Sequence, residues 1–190
     1  MGNKADFINK AFDKVLSGRS LSLGQAIELT TTKDDEIFTL FNAAYKIRRK
    51  FRGKKVELCA ITNARSGACS EDCAFCAQSG WHKTKVKVYP LLGEKEIYSK
   101  AERARKIGAG YFCIVTSGRK IHSKKDFVRI CRVVSKIRSR LNLNVDASLG
   151  ELSLDEAKAL RESGLLRYNH NLETAGSLYR EVCTTHTYSD

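Results

Sequence analysis

From residue 56 onward the chain alternates short apolar runs with longer stretches of helical periodicity, and this alternation constrains the fold more than any other feature. Residues 56–62 read as a strand followed by a long loop. An amphipathic helix over 94–107 comes next, with Ile97, Ala101, Ala104 and Ile107 on one side and Gly108 and Gly110 ending it. The series continues as strand 111–116, helix 123–140, strand 143–148, helix 153–163 and strand 165–171. Four strands joined by helical crossovers predict a parallel sheet.

Such a sheet could be doubly wound or part of a β/α barrel, and parity within the strands decides. Residues two apart share a face, so Asn144, Asp146 and Ser148 oppose Leu143, Val145 and Ala147. Likewise Arg167, Asn169 and Asn171 oppose Leu166, Tyr168 and His170. A fully covered parallel strand is apolar on both faces. Polar residues gathered on one face predict a barrel lumen with chemistry at the C-terminal mouth. The fold class expected is therefore α/β, a partial TIM-type (β/α) barrel of about four βα units over 56–190, preceded by a helical extension over 1–55.

Three helices are expected in that extension: one near 4–17, one after Ser22-Leu-Gly-Gln25, and one after Thr32-Lys-Asp-Asp35. The last two starts have the form of capping boxes. The third helix is expected to pack through Ile37, Leu40, Phe41, Ala44 and Tyr45.

At 190 residues, with 42% hydrophobic and 29% charged composition, the chain can bury one ordinary core. No apolar run approaches the ~18 residues of a membrane span, and residues 1–7 lack the apolar core of a secretory signal. A cytoplasmic protein without a membrane partner is expected. The net charge of +13 and the run Lys46-Ile-Arg-Arg-Lys-Phe-Arg-Gly-Lys-Lys55 raise nucleic acid as a partner. However, Asp34, Asp35 and Glu36 open this helix and the bases close it, as the helix dipole favours, so the run reads as a solvated helix end and nucleic acid is not expected.

Seven cysteines in a reducing compartment point to metal ligation or catalysis rather than disulfides. Cys131 shares a helical stripe with Phe127, Val134 and Ile137 and reads as core. Cys69, Cys73 and Cys76 lie at C-x3-C-x2-C spacing, with Phe75 before the last. A four-iron cluster takes four thiolates, so three leave one iron open to a small molecule. The alternative is a cysteine-rich zinc module, with Cys59 or His82 as fourth ligand, although zinc ligands usually come as separated pairs. Cys113 shares a strand face with Tyr111, Val115 and Ser117, which places it near the same mouth.

The cysteine spacing resembles the signature of radical S-adenosylmethionine enzymes. Longer blocks narrow the likeness: Leu58-Cys-Ala-Ile-Thr-Asn-Ala-Arg-Ser-Gly-Ala-Cys-Ser-Glu-Asp-Cys-Ala-Phe-Cys-Ala-Gln-Ser79, Tyr89-Pro-Leu-Leu92, Asp146-Ala-Ser-Leu-Gly150, Tyr168-Asn-His-Asn-Leu-Glu-Thr174 and Thr184-Thr-His-Thr-Tyr188. In this order, from about residue 20 to the C-terminus, they resemble the biotin synthase family.

The resemblance implies a sulfurtransferase that converts dethiobiotin to biotin by sulfur insertion, using 5′-deoxyadenosyl radicals. Cys69, Cys73 and Cys76 would hold the [4Fe-4S] cluster that binds S-adenosylmethionine. Asn171 and Glu173 would hydrogen-bond its ribose, a carboxylate being suited to accept from two hydroxyls. Asn171 and Asn169 would approach the substrate. An auxiliary [2Fe-2S] cluster would use Cys113, but Asp146 stands where the second cysteine is expected, a harder ligand than thiolate, leaving that cluster altered or of another type. The remaining ligands of that cluster lie on strands that would follow residue 190, so the chain is expected to be a fragment inactive by itself. An electron donor such as flavodoxin or ferredoxin and a homodimer are the implied partners. Asp146 keeps open another radical enzyme of the same barrel group with a different substrate or sulfur source.

Overall fold

The computed structural model describes residues 3–190, which divide into a helical unit ending at Val56 and a larger unit from Glu57 to Asp190. In the first unit, helix α1 (Lys4–Leu16) is capped by the Asn3 side chain, which accepts from the Ala5 N–H. Helix α2 (Leu23–Thr30) begins with the expected capping box, Ser22 and Gln25 each accepting from the other's backbone N–H. Helix α3 (Glu36–Arg52) does not. A turn with Asp34 at φ +50° separates Thr32 from the helix, and Asp35 makes no side-chain cap. Helix α3 also buries a different stripe from the expected one. Ala43 is buried, with Leu40 and Ile47 half-buried, whereas Phe41, Ala44 and Tyr45 are exposed.

The larger unit carries strands β1 (Cys59–Arg65), β2 (Tyr111–Thr116), β3 (Asn144–Ser148) and β4 (Arg167–Tyr168), joined by helices α4 (Glu94–Lys106), α5 (Lys124–Leu141) and α6 (Leu154–Glu162). The strands form one parallel sheet in sequence order. Phe112, Ile114, Val145 and Ala147 face the helices, where Ile97, Ala101, Ile130, Val133, Val134, Ile137 and Leu160 close a core of fully buried side chains. Cys131 packs half-buried against it. Each of the largest of these side chains contributes about 1.5–3 kcal/mol by leaving water.

The opposite face holds the polar residues. Successive strand partners align Ile61, Cys113, Asp146 and Arg167 in one row across the sheet. The alternation seen in the sequence is thus a division between a helix-covered face and a lumen-type face.

Two strands differ from expectation by more than one residue. Strand β1 starts and ends three residues later than 56–62: Val56 is exposed, and polar Asn63 and Arg65 continue the ladder by pairing with Val115 and Thr116. Strand β4 is shorter than 165–171. Leu166 N and Asn169 N still donate to Val145 O and Ala147 O, but the chain then turns away, with Glu173 at φ +61°. A 3-10 turn (Gly176–Leu178) and helix α7 (Tyr179–Val182) follow. Gly150, at φ +84°, is required after β3, because a Cβ there would lie 1.9 Å from Arg119 O.

No described helix is long and apolar enough to cross a membrane.

Candidate iron–sulfur and cofactor site

The cysteine loop leaves the C-terminal end of β1 and is folded back on itself by backbone bonds. Ser66 and Tyr89 exchange N–H···O bonds of 3.2 and 3.1 Å, and Cys69 N donates to Gln78 O at 3.0 Å. Gly67, at φ +70°, brings the chain against Val88, and its N–H donates to the Gln78 side-chain oxygen at 2.6 Å. Within this frame Cys76 N bonds Cys73 O at 2.9 Å and Ser79 N bonds Cys76 O at 3.2 Å, a tight turn that carries the last two cysteines. All three thiols of the triplet are free and half-exposed, and Phe75 between them is exposed. Three unpaired, reachable thiols on one ordered loop are the donor chemistry an iron–sulfur cluster takes.

A second segment, to which sequence reasoning gave no role beyond its family likeness, grips this loop. Asp72 accepts from Thr184 N at 2.9 Å, from Thr185 N at 3.2 Å and from the Thr184 hydroxyl. Ala74 N donates to Val182 O at 2.8 Å. Buried Glu71 accepts from the Thr185 hydroxyl at 2.7 Å and meets His186 Nδ1 at 2.6 Å. The Thr184 hydroxyl and N–H hold the Asp72 carboxyl well below the usual carboxylate range. Burial opposes ionisation of Glu71, but bonds from Thr185, Ser70 and His186 outweigh it and lower its pKa. The Cys73 thiol is pushed up to about 12, first by burial and then by the adjacent Cys183 thiol. The available sequence signal was Cys183 and His186 at C-x2-H spacing, with Cys183 immediately before the block Thr184–Tyr188 that was noted only for its family likeness.

The fourth ligands expected for a zinc module do not join the triplet. His82 Nε2 lies 3.1 Å from Cys73 O, committed to backbone. Cys59 sits at the start of β1, in register with Tyr111 and away from the loop.

On the lumen-type face Cys113 is buried, and Asn169 Nδ2 donates to its sulfur at 3.8 Å. Burial raises the Cys113 pKa, against the effect of that bond. Asp146, next to it in register, is 3% exposed and fully engaged: Arg167 Nε lies 3.2 Å from both carboxylate oxygens and Nη2 lies 2.7 Å from Oδ2. The Arg167 guanidinium also stacks 4.0 Å over the Tyr111 ring. Sequence reasoning placed Asp146 and Arg167 on one face but did not pair them; opposite charges at facing positions of β3 and β4 were the signal. Cys113, Asp146 and Asn169 are thus brought together. Glu173 lies in a left-handed turn beyond β4, and Asn171 is exposed with its side chain making no hydrogen bond among the described residues.

A parallel sheet covered on one face by helices, with a three-cysteine loop after its first strand, defines a class, and the Radical SAM superfamily model matches residues 63–190. The chain belongs to that superfamily, whose members work with a [4Fe-4S] cluster and S-adenosylmethionine. Within it, the chain is similar to biotin synthases. It is 42% identical to that of Pelotomaculum thermopropionicum over 182 residues, which cover 96% of this chain and 56% of the relative. It is 38% identical over 185 residues to that of Nitrosopumilus maritimus, covering 97% and 56%. It is also 42% identical over 187 residues to that of Acetivibrio thermocellus, covering 97% and 57%. The chain therefore spans little more than half the length of these relatives.

Among solved structures, methylornithine synthase superposes with a TM-score of 0.77 at 22% identity, over 94% of this chain and 52% of that one. The [FeFe]-hydrogenase maturase HydG superposes at 0.79 with 15% identity, over 98% and 41%. At these identities the likeness shows the fold, a partial β/α barrel.

Proposed function

We propose that this chain carries the cofactor-binding portion of a biotin synthase, a sulfurtransferase that makes biotin from dethiobiotin in the cytoplasm. The observation that carries this reading is 38–42% identity to biotin synthases across almost the whole chain, with the three-cysteine loop intact. Turnover is assigned to a chain of the relatives' greater length.

In this reading Cys69, Cys73 and Cys76 ligate the cluster, and their loop leaves one iron for S-adenosylmethionine. The cluster would supply the electron for reductive cleavage of S-adenosylmethionine, the source of the group that removes hydrogen from unactivated carbons. The chain's own residues hold and orient. Glu173, in a left-handed turn, is assigned to accept from the ribose hydroxyls, and exposed Asn171 is assigned to the ribose and to the ureido ring of the substrate. Asn169, whose amide donates to the Cys113 sulfur, is assigned with Asn171 to contact the substrate. A flavodoxin or ferredoxin donates the electron, and the enzyme works as a homodimer.

The Asp146–Arg167 pair favours a second reading for the auxiliary centre. A carboxylate is already a harder ligand for iron than a thiolate, and the guanidinium bound across both of its oxygens neutralises its charge and competes for it. Cys113 then lacks its expected neighbour ligand, which supports another radical enzyme of the same group with a different substrate or sulfur source.

Anaerobic reconstitution followed by supply of S-adenosylmethionine and dithionite tests the site. In a chain of the relatives' greater length, formation of 5′-deoxyadenosine that Cys69→Ala, Cys73→Ala and Cys76→Ala each abolish is expected; cleavage that survives all three refutes the assignment. Biotin formed from dethiobiotin by the longer chain separates the two readings of the substrate.

A further inference from the structure

The segment that grips the cysteine loop also brings a different set of soft ligands together. Cys183, at the end of α7, is 1% exposed. His186 follows three residues later, and Cys73 approaches from the loop. One ligand atom from each lies within 4.8 Å of the others. Neither Cys69 nor Cys76 belongs to this set.

Two thiols and an imidazole are a zinc donor set, and three protein ligands leave the fourth tetrahedral position open. The spacing suits the ion. Zinc held at about 2.3 Å from sulfur and about 2.0 Å from nitrogen separates sulfur from nitrogen by about 3.6 Å, and sulfur from sulfur by about 3.8 Å. Cys183 Sγ lies 3.9 Å from His186 Nε2, within a few tenths of an ångström of the sulfur–nitrogen value.

The imidazole is already oriented for ligation. Its Nδ1 meets Glu71 Oε2 at 2.6 Å, so Nδ1–H donates to a buried carboxylate and Nε2 is the nitrogen left for a metal. A carboxylate behind a histidine in this way fixes its tautomer and raises its basicity toward the ion. Asp72, through Thr184 and Thr185, and Ala74, through Val182, hold the two segments in this arrangement before any ion arrives.

We propose that Cys73, Cys183 and His186 form a binding site for a thiophilic divalent cation of the zinc class, with Glu71 as the group that orients His186. Binding releases the two thiol protons to solvent and leaves one coordination position to water. Because Cys73 is shared, zinc and a cluster exclude each other, and the chain's metal content depends on which arrives first. This exclusion rests on the assignment of Cys73 to the cluster; the zinc site does not.

The test uses the cluster-free 190-residue chain under anaerobic conditions, titrated with Co2+ alone and then with Zn2+. One Co2+ per chain is expected, with tetrahedral d–d bands and a thiolate-to-cobalt charge-transfer band that Zn2+ bleaches. Cys183→Ser and the half-buried His186→Gln each weaken binding by more than about 100-fold, and Glu71→Gln by about 10–100-fold. Cys69→Ala retains it. Absence of the bands, bands that survive His186→Gln in a chain with unchanged circular dichroism, or bands lost in Cys69→Ala overturn the site. One equivalent of Zn2+ added first also slows iron–sulfide assembly. Zinc bound with this ligand pattern and no delay in assembly leaves the site standing and removes Cys73 from the cluster.

Discussion

Tyr168→Phe measures how tightly the lumen-type face is held to its frame. The Tyr168 hydroxyl accepts from Leu149 N at 3.0 Å and donates to Gly150 O, joining β4 to the turn that follows β3. Burial pushes its pKa up to about 12, so it remains a donor throughout the neutral range. Phenylalanine keeps the ring packing and removes only the oxygen. Two hydrogen bonds at about 0.5–1.5 kcal/mol net each are lost, and the Leu149 N–H, in a residue with 0% exposure, loses its partner. The expected loss is about 2 kcal/mol. With a slope of about 1–3 kcal/mol per molar urea, the unfolding midpoint falls by about 1 M. Tyr89→Phe is the internal comparison, because its hydroxyl makes a single bond, to Asn63 O at 2.8 Å, and about half the loss is expected. A Tyr168→Phe midpoint within error of the parent, or one no lower than that of Tyr89→Phe, refutes the view that this hydroxyl fastens β4.

Other consequences follow from the same geometry. Gly150→Ala sets a Cβ 1.9 Å from Arg119 O at a φ that L-residues avoid, and loss of soluble protein on expression is expected; normal yield and an unchanged melt contradict it. Asp72→Ala removes the acceptor of the Thr184 and Thr185 N–H groups, so hydrogen exchange at those two amides accelerates while exchange in β2 stays slow; unchanged exchange at Thr184 means the segment is held otherwise. Asp146→Cys alone leaves a guanidinium facing the new thiol, whereas Asp146→Cys with Arg167→Leu clears the position. Iron bound beyond the first cluster is expected to rise more in the double variant, and equal iron in both argues against an auxiliary centre at this place.

The core half of the sheet was legible because its signal is local and repeated. Tyr111–Thr116 was read with its observed bounds, and Ile97, Ala101 and Ala104 of α4 and Val134 and Ile137 of α5 fell at core positions, whereas Ile107, expected on the α4 stripe, lies past the helix end and is exposed. Where polar side chains carry a strand, the reading failed. Strand β1 runs through Asn63 and Arg65, whose place is set by pairing with β2 rather than by hydrophobic alternation. The aromatic stripe of α3 misled for the opposite reason, since hydrophobic residues need not be buried. The cysteine triplet was visible because its spacing is short. Arg167 on Asp146, 21 residues apart, and Cys183 beside Cys73, joined through Asp72 across 111 residues, are products of tertiary folding that no short window contains.

The central claim is that the cysteine loop holds a cluster with an iron open to S-adenosylmethionine. Iron, zinc and acid-labile sulfide analysis after anaerobic reconstitution, read with electron paramagnetic resonance of the reduced protein before and after S-adenosylmethionine, tests it most directly. The account predicts about four iron and about four sulfide per chain, a spectrum shifted by S-adenosylmethionine, and loss of both in Cys69→Ala. No labile sulfide in a zinc-free preparation under the same reconstitution would contradict it.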